Sequence, residues 1–245
     1  MPYRRLPNTD QARIKALETA IEKDGCRDNG NLVLSYKSVR DAANFLNNFK
    51  RLHQLYLQSF EIQVKASKKY QTQLKTVRLY ISHFIQVLNM AVIRNEIKKE
   101  NKKLYGLELN DYTVPDLSTE TGVLKWGESI IQGENERLKA GGVPIYNPTI
   151  AKVNVHFNIF TEAYHTQKTF QANTNRNLEK VTLMREKADE LILDIWNQTE
   201  EAFKDYPAAE KIQKCQEFGV VYYYRTKEKK AIAAAKLQKK LSFND

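Results

Sequence analysis

Glu162 and His165 stand three residues apart, and on a helix that spacing turns both side chains to one face. Helical bundles hold di-iron and di-manganese centres with Glu-x-x-His pairs of this kind. Such a centre needs a second Glu-x-x-His and two more glutamates from facing helices. The chain has no second motif, and the corresponding place in its first helical block holds Gln54 and Leu57. No metal and no other cofactor is therefore expected. Glu128 and Glu134 are the carboxylates that would share acid–base work in the tract Leu124 to Arg137, although no spacing rule joins them. The simpler reading makes Leu124, Trp126, Ile130 and Ile131 a cap over one end of a bundle. His53 falls on an apolar stripe and reads as a satisfied core or interface histidine.

The motifs that announce other chemistry are missing. There is no Walker phosphate loop, Rossmann glycine fingerprint, HExxH or GxSxG elbow. No catalytic residue is assigned, and an enzyme is not expected.

Cations are the more informative feature. Lys65, Lys68, Lys69, Lys75 and Arg78 lie close together, and Lys98, Lys99, Lys102 and Lys103 form a second group. In the tail, Arg225, Lys227, Lys229, Lys230, Lys236, Lys239 and Lys240 flank an Ala-rich stretch. The first group, with Arg225, Lys227, Lys229 and Lys230, supplies the candidate anion or nucleic-acid contacts. Tyr222, Tyr223 and Tyr224 would stack on bases in that reading, and otherwise pack. The formal net charge of +10 is unevenly placed: residues 36–103 carry +10, 104–149 carry −4, 150–205 carry −2 and 225–245 carry +5. Three readings follow: a solvated helical face, attraction to an acidic partner (another protein or the acidic remainder of the chain), or contact with nucleic acid or an anionic membrane surface.

Elements that position these groups can be read from where chain breakers are missing. Neither Gly nor Pro occurs between Gly30 and Gly106, or between Pro148 and Pro207. Six of the nine glycines lie in the connection between these blocks. In the first block Val39, Ala42, Leu46, Phe49, His53, Tyr56 and Phe60 step by three and four, followed by Tyr70, Leu74, Val77, Ile81, Phe84, Leu88 and Ala91. The second block does the same through Val153, Phe157, Phe160, Tyr164 and Gln167, then Leu178, Val181, Ala188, Ile192 and Ile195. Each stripe is the apolar face of an amphipathic helix.

A sixty-residue helix would be about 90 Å long, so polar dips at Lys65–Lys69 and Asn173–Asn177 are read as hairpin turns. The expectation is all-α: an up-and-down bundle of four long helices. A shift of 108 places Phe49 on Phe157 and Tyr56 on Tyr164, which suggests two diverged repeats. The alternative is two very long helices in an extended rod. Boundaries are expected as an N-terminal arm and short helix (1–35), a basic helical unit (36–105), a connecting cap (106–149), a second helical unit (150–206) and a C-terminal helix with a basic tail (207–245). The first short helix starts at Asn8-Thr9-Asp10, carries Ile14, Leu17 and Ile21, and ends at Asp24-Gly25. Another follows Pro207, and Gly219–Tyr224 reads as extended.

With 42% apolar residues in 245, the chain can bury a core. No apolar run follows Arg4-Arg5 and none reaches about 18 residues, so neither a secretory signal nor an integral membrane segment is expected. Cys26 and Cys215 read as reduced thiols. The opening Met-Pro-Tyr-Arg-Arg-Leu-Pro-Asn-Thr-Asp and the tract Arg78-Leu79-Tyr80-Ile81-Ser82-His83-Phe84-Ile85-Gln86-Val87-Leu88-Asn89-Met90 together resemble a family of uncharacterised bacterial all-helical proteins. That resemblance implies a bacterial, cytoplasmic setting and no particular activity. The expected function is a non-enzymatic helical binding or scaffold protein that self-associates or meets an acidic partner. The alternatives are nucleic-acid binding and a metal-binding bundle.

Overall fold

The computed structural model describes residues 2–25 and 33–226. The expectations for Cys26, for Lys227, Lys229 and Lys230, and for a tail helix lie outside these residues. The described chain is all-α apart from one two-stranded ribbon. In order it forms β1 (Tyr3–Arg4), α1 (Asp10–Gly25), α2 (Tyr36–Ile93), a 3-10 helix over Lys99–Tyr105, α3 (Glu120–Lys139), α4 (Ile150–Ala202), α5 (Ala208–Glu217) and β2 (Tyr222–Tyr223). Tyr3 pairs with Tyr223, and Arg4 with Tyr222, in antiparallel register.

The four-helix expectation is corrected here: each block is one unbroken helix, of 58 residues in α2 and 53 in α4. The reason is visible in the spacing. On α2, Ala42, Phe49, Tyr56, Gln63, Tyr70, Val77, Phe84 and Ala91 recur every seventh residue, and so do Leu46, His53, Phe60, Ser67, Leu74, Ile81 and Leu88. On α4, Val153, Phe160, Gln167, Thr174, Val181, Ala188 and Ile195 do the same, beside Phe157, Tyr164, Gln171, Leu178, Arg185, Ile192 and Thr199. These are positions d and a of a sustained heptad, the pattern of helices that share a long seam. A hairpin turn would reset the phase, and neither polar dip does. The 108-residue shift carries Phe49, at position d, onto Phe157, at position a, so it does not preserve heptad position.

Side-chain caps fix the helix starts. The Thr9 hydroxyl accepts from the Ala12 N–H, the Ser35 hydroxyl from Ser38, the Thr119 hydroxyl from Gly122 and the Thr149 hydroxyl from Lys152. Each satisfies an N–H that a first turn leaves unpaired.

Two units divide the chain, residues 1–57 with 176–245, and residues 58–175, with the boundaries inside α2 and α4. In the first unit, α1, α5 and the ends of α2 and α4 bury Leu17, Ala42, Phe49, Val181, Ala188, Ile195, Trp196 and Phe218. The helices α2 and α4 run antiparallel there, with the Ser38 hydroxyl 2.7 Å from Asp194 Oδ2 and Asn48 beside Met184. The second unit has its own core of Tyr70, Leu74, Val77, Ile81, Phe84, Leu88, Tyr105, Val123, Ile130, Val153 and Phe160. There too α2 and α4 are antiparallel, with Tyr70 stacked on Phe160 and Tyr80 on His156. One helix, α2, contains an 18-residue window long and apolar enough to cross a membrane by length and composition, and 44% of that window is buried inside the protein.

Candidate functional site: a third-helix groove that is only partly filled

The connection between the long helices is itself largely helical. Its twenty-residue α3 lies against the second unit's α2–α4 seam, on the face made by positions a and e. Gly127 marks the closest approach: a Cβ there would lie 2.3 Å from the Phe157 ring and 3.1 Å from Ile81, both at position a. Only a residue without a side chain lets the helix backbone come so near. Val123 and Ile130, on the same stripe, are fully buried, and Leu124, Trp126 and Ile131 pack around them.

Charge organises the start of this helix. Asp116 Oδ1 accepts from the Ser118 N–H at 2.7 Å, and Arg78, at position e of α2, donates through Nη2 to the Ser118 carbonyl. Lys168, at position e of α4, lies 3.1 Å from the Glu120 carboxylate. The buried Tyr70 hydroxyl stands beside Glu120, near enough to act on it but outside full hydrogen-bond geometry. Glu120 is held below the usual carboxylate range, first by Tyr70 and then by Lys168 and Arg78, against the opposing effect of burial. An acidic first turn thus sits between two cations, with apolar residues behind it.

At the other end of α3, Glu134 and Arg137 are buried together. Arg137 Nη2 lies 2.7 Å from Glu134 Oε1 and 2.8 Å from the Val143 carbonyl, and Nε donates to the Tyr105 hydroxyl at 2.8 Å. Tyr105 donates in turn to Glu134 Oε2. Burial, then Glu134, pushes the Tyr105 phenol well above its ordinary pKa. Both Glu134 oxygens and the Nε and Nη2 of Arg137 have partners, so the triad anchors the chain beyond α3. Lys102 is buried nearby, donating to the Asp111 carbonyl at 2.6 Å and lying over the Tyr112 ring, and desolvation lowers its pKa.

Past Glu120 the seam goes on without α3. Position e of α2 shows the change: Ile85 and Val92 are 0% and 5% exposed, whereas Val64 is 40% exposed. Position a shows it as well, since Leu74, Ile81 and Leu88 are buried and Phe60 is 47% exposed. Ser67 and Gln171 are half-buried there, and Asn175 is exposed. The only buried side chains on α4 from 161 to 175 are Gln167 and Thr174. Gln167 Oε1 has no hydrogen-bond partner among the described residues.

The expected basic patch does not gather on one face. Helical spacing puts Lys68 and Lys75 along the rim of the open groove with Val64 and Gln71. Lys65 points away and pairs with Glu61 at 2.7 Å, and Lys69 lies on the other flank. Arg78 is engaged by the start of α3, and Arg225 is exposed in the other unit. Glu162 and His165 are both exposed, and among the described residues no group of three or more His, Cys, Asp or Glu side chains converges to hold a metal ion. Glu128 is exposed while Glu134 is buried, six residues on, so the two do not form an acid–base pair. Cys215 is a buried thiol, its pKa raised by burial. Sequence reasoning missed α3 and its charged anchors; the Thr119 cap followed by Val123, Ile130 and Ile131 was the available signal. Comparison of the chain with protein-family models, with curated proteins and with solved structures finds no match.

Proposed function

We propose that this is a non-enzymatic helical binding or scaffold protein, and that its docking surface is the unfilled part of the α3 groove in the second unit. One observation carries the reading: the same heptad positions that α3 buries at Ile81 and Ile85 are left half-exposed at Phe60 and Val64. Exposed apolar side chains in a row, continuous with an already occupied helix-binding face, are what helix-in-groove recognition uses. The nucleic-acid reading has less support, because Arg78 is engaged by a carbonyl and Lys65 by a glutamate.

A photocrosslinking side chain at position 64, introduced into the full chain in cells, tests the proposal. Discrete adducts from position 64, and none from the more exposed position 183 on α4, are expected. Equal labelling from both positions would overturn it.

A further inference from the structure

We infer that the open stretch of the groove, lined by Phe60, Val64 and Gln71 of α2 and by Gln171 and Asn175 of α4, takes an acidic amphipathic helix from another protein. This rests on the docking surface proposed above and adds the chemistry of its occupant. The filled part of the same groove supplies the precedent. There Asp116, in the segment ahead of α3, and Glu120, in its first turn, face Arg78 and Lys168, and α3 lays Val123 and Ile130 into the seam. The open part offers a comparable host surface with its cations on the neighbouring position b: Val64, at position e, supplies the apolar floor, and the exposed Lys68 and Lys75 supply a cationic rim. Residues 104–149, which contain α3, carry a net charge of −4, whereas 36–103 carry +10. A second copy of this face fits poorly, since two copies bring the same positive charge to the contact. Nucleic acid fits poorly for another reason: only Lys68 and Lys75 on this face would meet a phosphate backbone, with Val64 and the uncharged Gln71 beside them.

The test uses the full chain and three fluorescent probes: a Leu/Glu heptad peptide, its Leu/Lys counterpart and a short duplex DNA, each followed by anisotropy. The acidic peptide is expected to bind, and to lose about tenfold in affinity when Lys68→Glu is combined with Lys75→Glu, or with Val64→Asp alone. Leu183→Asp, on an exposed site elsewhere, should leave binding unchanged. Equal binding of the basic peptide, DNA binding with the same lysine dependence, or self-association abolished by Val64→Asp would each overturn the acidic-helix assignment while leaving a docking groove in place. No binding of any probe, together with no association of any kind that responds to Val64→Asp, would overturn both.

Discussion

Arg13 on α1 and Asp189 on α4 close a two-pronged ion pair, with Nε 2.8 Å from Oδ1 and Nη2 3.0 Å from Oδ2. Its mirror lies alongside: Arg185 Nε and Nη2 are each 2.8 Å from the two oxygens of Asp10. Arg13 Nη1 and Asp10 Oδ1, 3.5 Å apart, link the pairs. This explains why an arginine stands at position a of α4, where the heptad asks for an apolar residue. Its guanidinium leaves the seam to meet the acidic first turn of α1. Arg13→Ala and Asp189→Ala should each lower stability by about 1–3 kcal/mol, and the double variant by much less than the sum. A double-mutant cycle from urea melts measures the coupling, and simple additivity would show that the pair contributes nothing.

Gly127→Ala places a methyl against the Phe157 ring, which a Cβ at this position would approach to 2.3 Å. The ring or α3 has to move, at a cost of about 1–3 kcal/mol. Gly25→Ala, at a position where nothing lies within 4 Å, is the control. Thermal melts of the two variants should separate clearly.

The triad of Tyr105, Glu134 and Arg137 predicts an asymmetry. Removing one charge, as in Glu134→Gln or Arg137→Met, leaves its partner buried and uncompensated, at a cost of about 3–5 kcal/mol. Replacing both at once should cost less than either alone. Chemical denaturation of the three variants decides.

Gln167 should respond in the opposite direction. Gln167→Leu removes a buried carbonyl oxygen without a partner and adds apolar surface to a d position, so stability should rise by about 1–2 kcal/mol. Hydrogen exchange gives a second readout. Amides of residues 161–175, where no apolar side chain is buried, should exchange faster than those around Phe84 and Leu88. Equal protection along the unit would contradict the weak-seam account.

Acid supplies a fifth check. Because Glu120 titrates below its ordinary value when folded, its contribution is present above the unfolded carboxylate pKa and is lost as pH falls through the folded one. Glu120→Gln should therefore lower the melting temperature near neutrality and have a shrinking effect as the solution is acidified into and below the usual carboxylate range. A pH-independent difference would count against the Lys168 and Tyr70 contacts as its source.

Much of the backbone was legible beforehand. The cap at Thr9, the stripe Ile14–Leu17–Ile21, the helix after Pro207 and the extended tyrosines all appear where their chemistry puts them. The error over hairpins came from weighing local polarity at Lys65–Lys69 and Asn173–Asn177 above phase. Short polar dips break a helix only if backbone preference changes there, and neither dip contains Gly or Pro. The candidate site was harder to see. Val64 and Ile85 are both β-branched aliphatics at position e, and nothing local distinguishes the exposed one from the buried one. The difference is where α3 begins, which depends on Thr119 and on Arg78 holding the Ser118 carbonyl, contacts forty residues apart in the chain.

The β1–β2 ribbon has a practical consequence. Since Tyr3 is paired with Tyr223, cargo joined ahead of β1 and cargo joined just after β2 emerge at the same corner of the first unit. Two tags placed at those points would report on one another by energy transfer, and a linker between them would yield a circular permutant without stretching the fold.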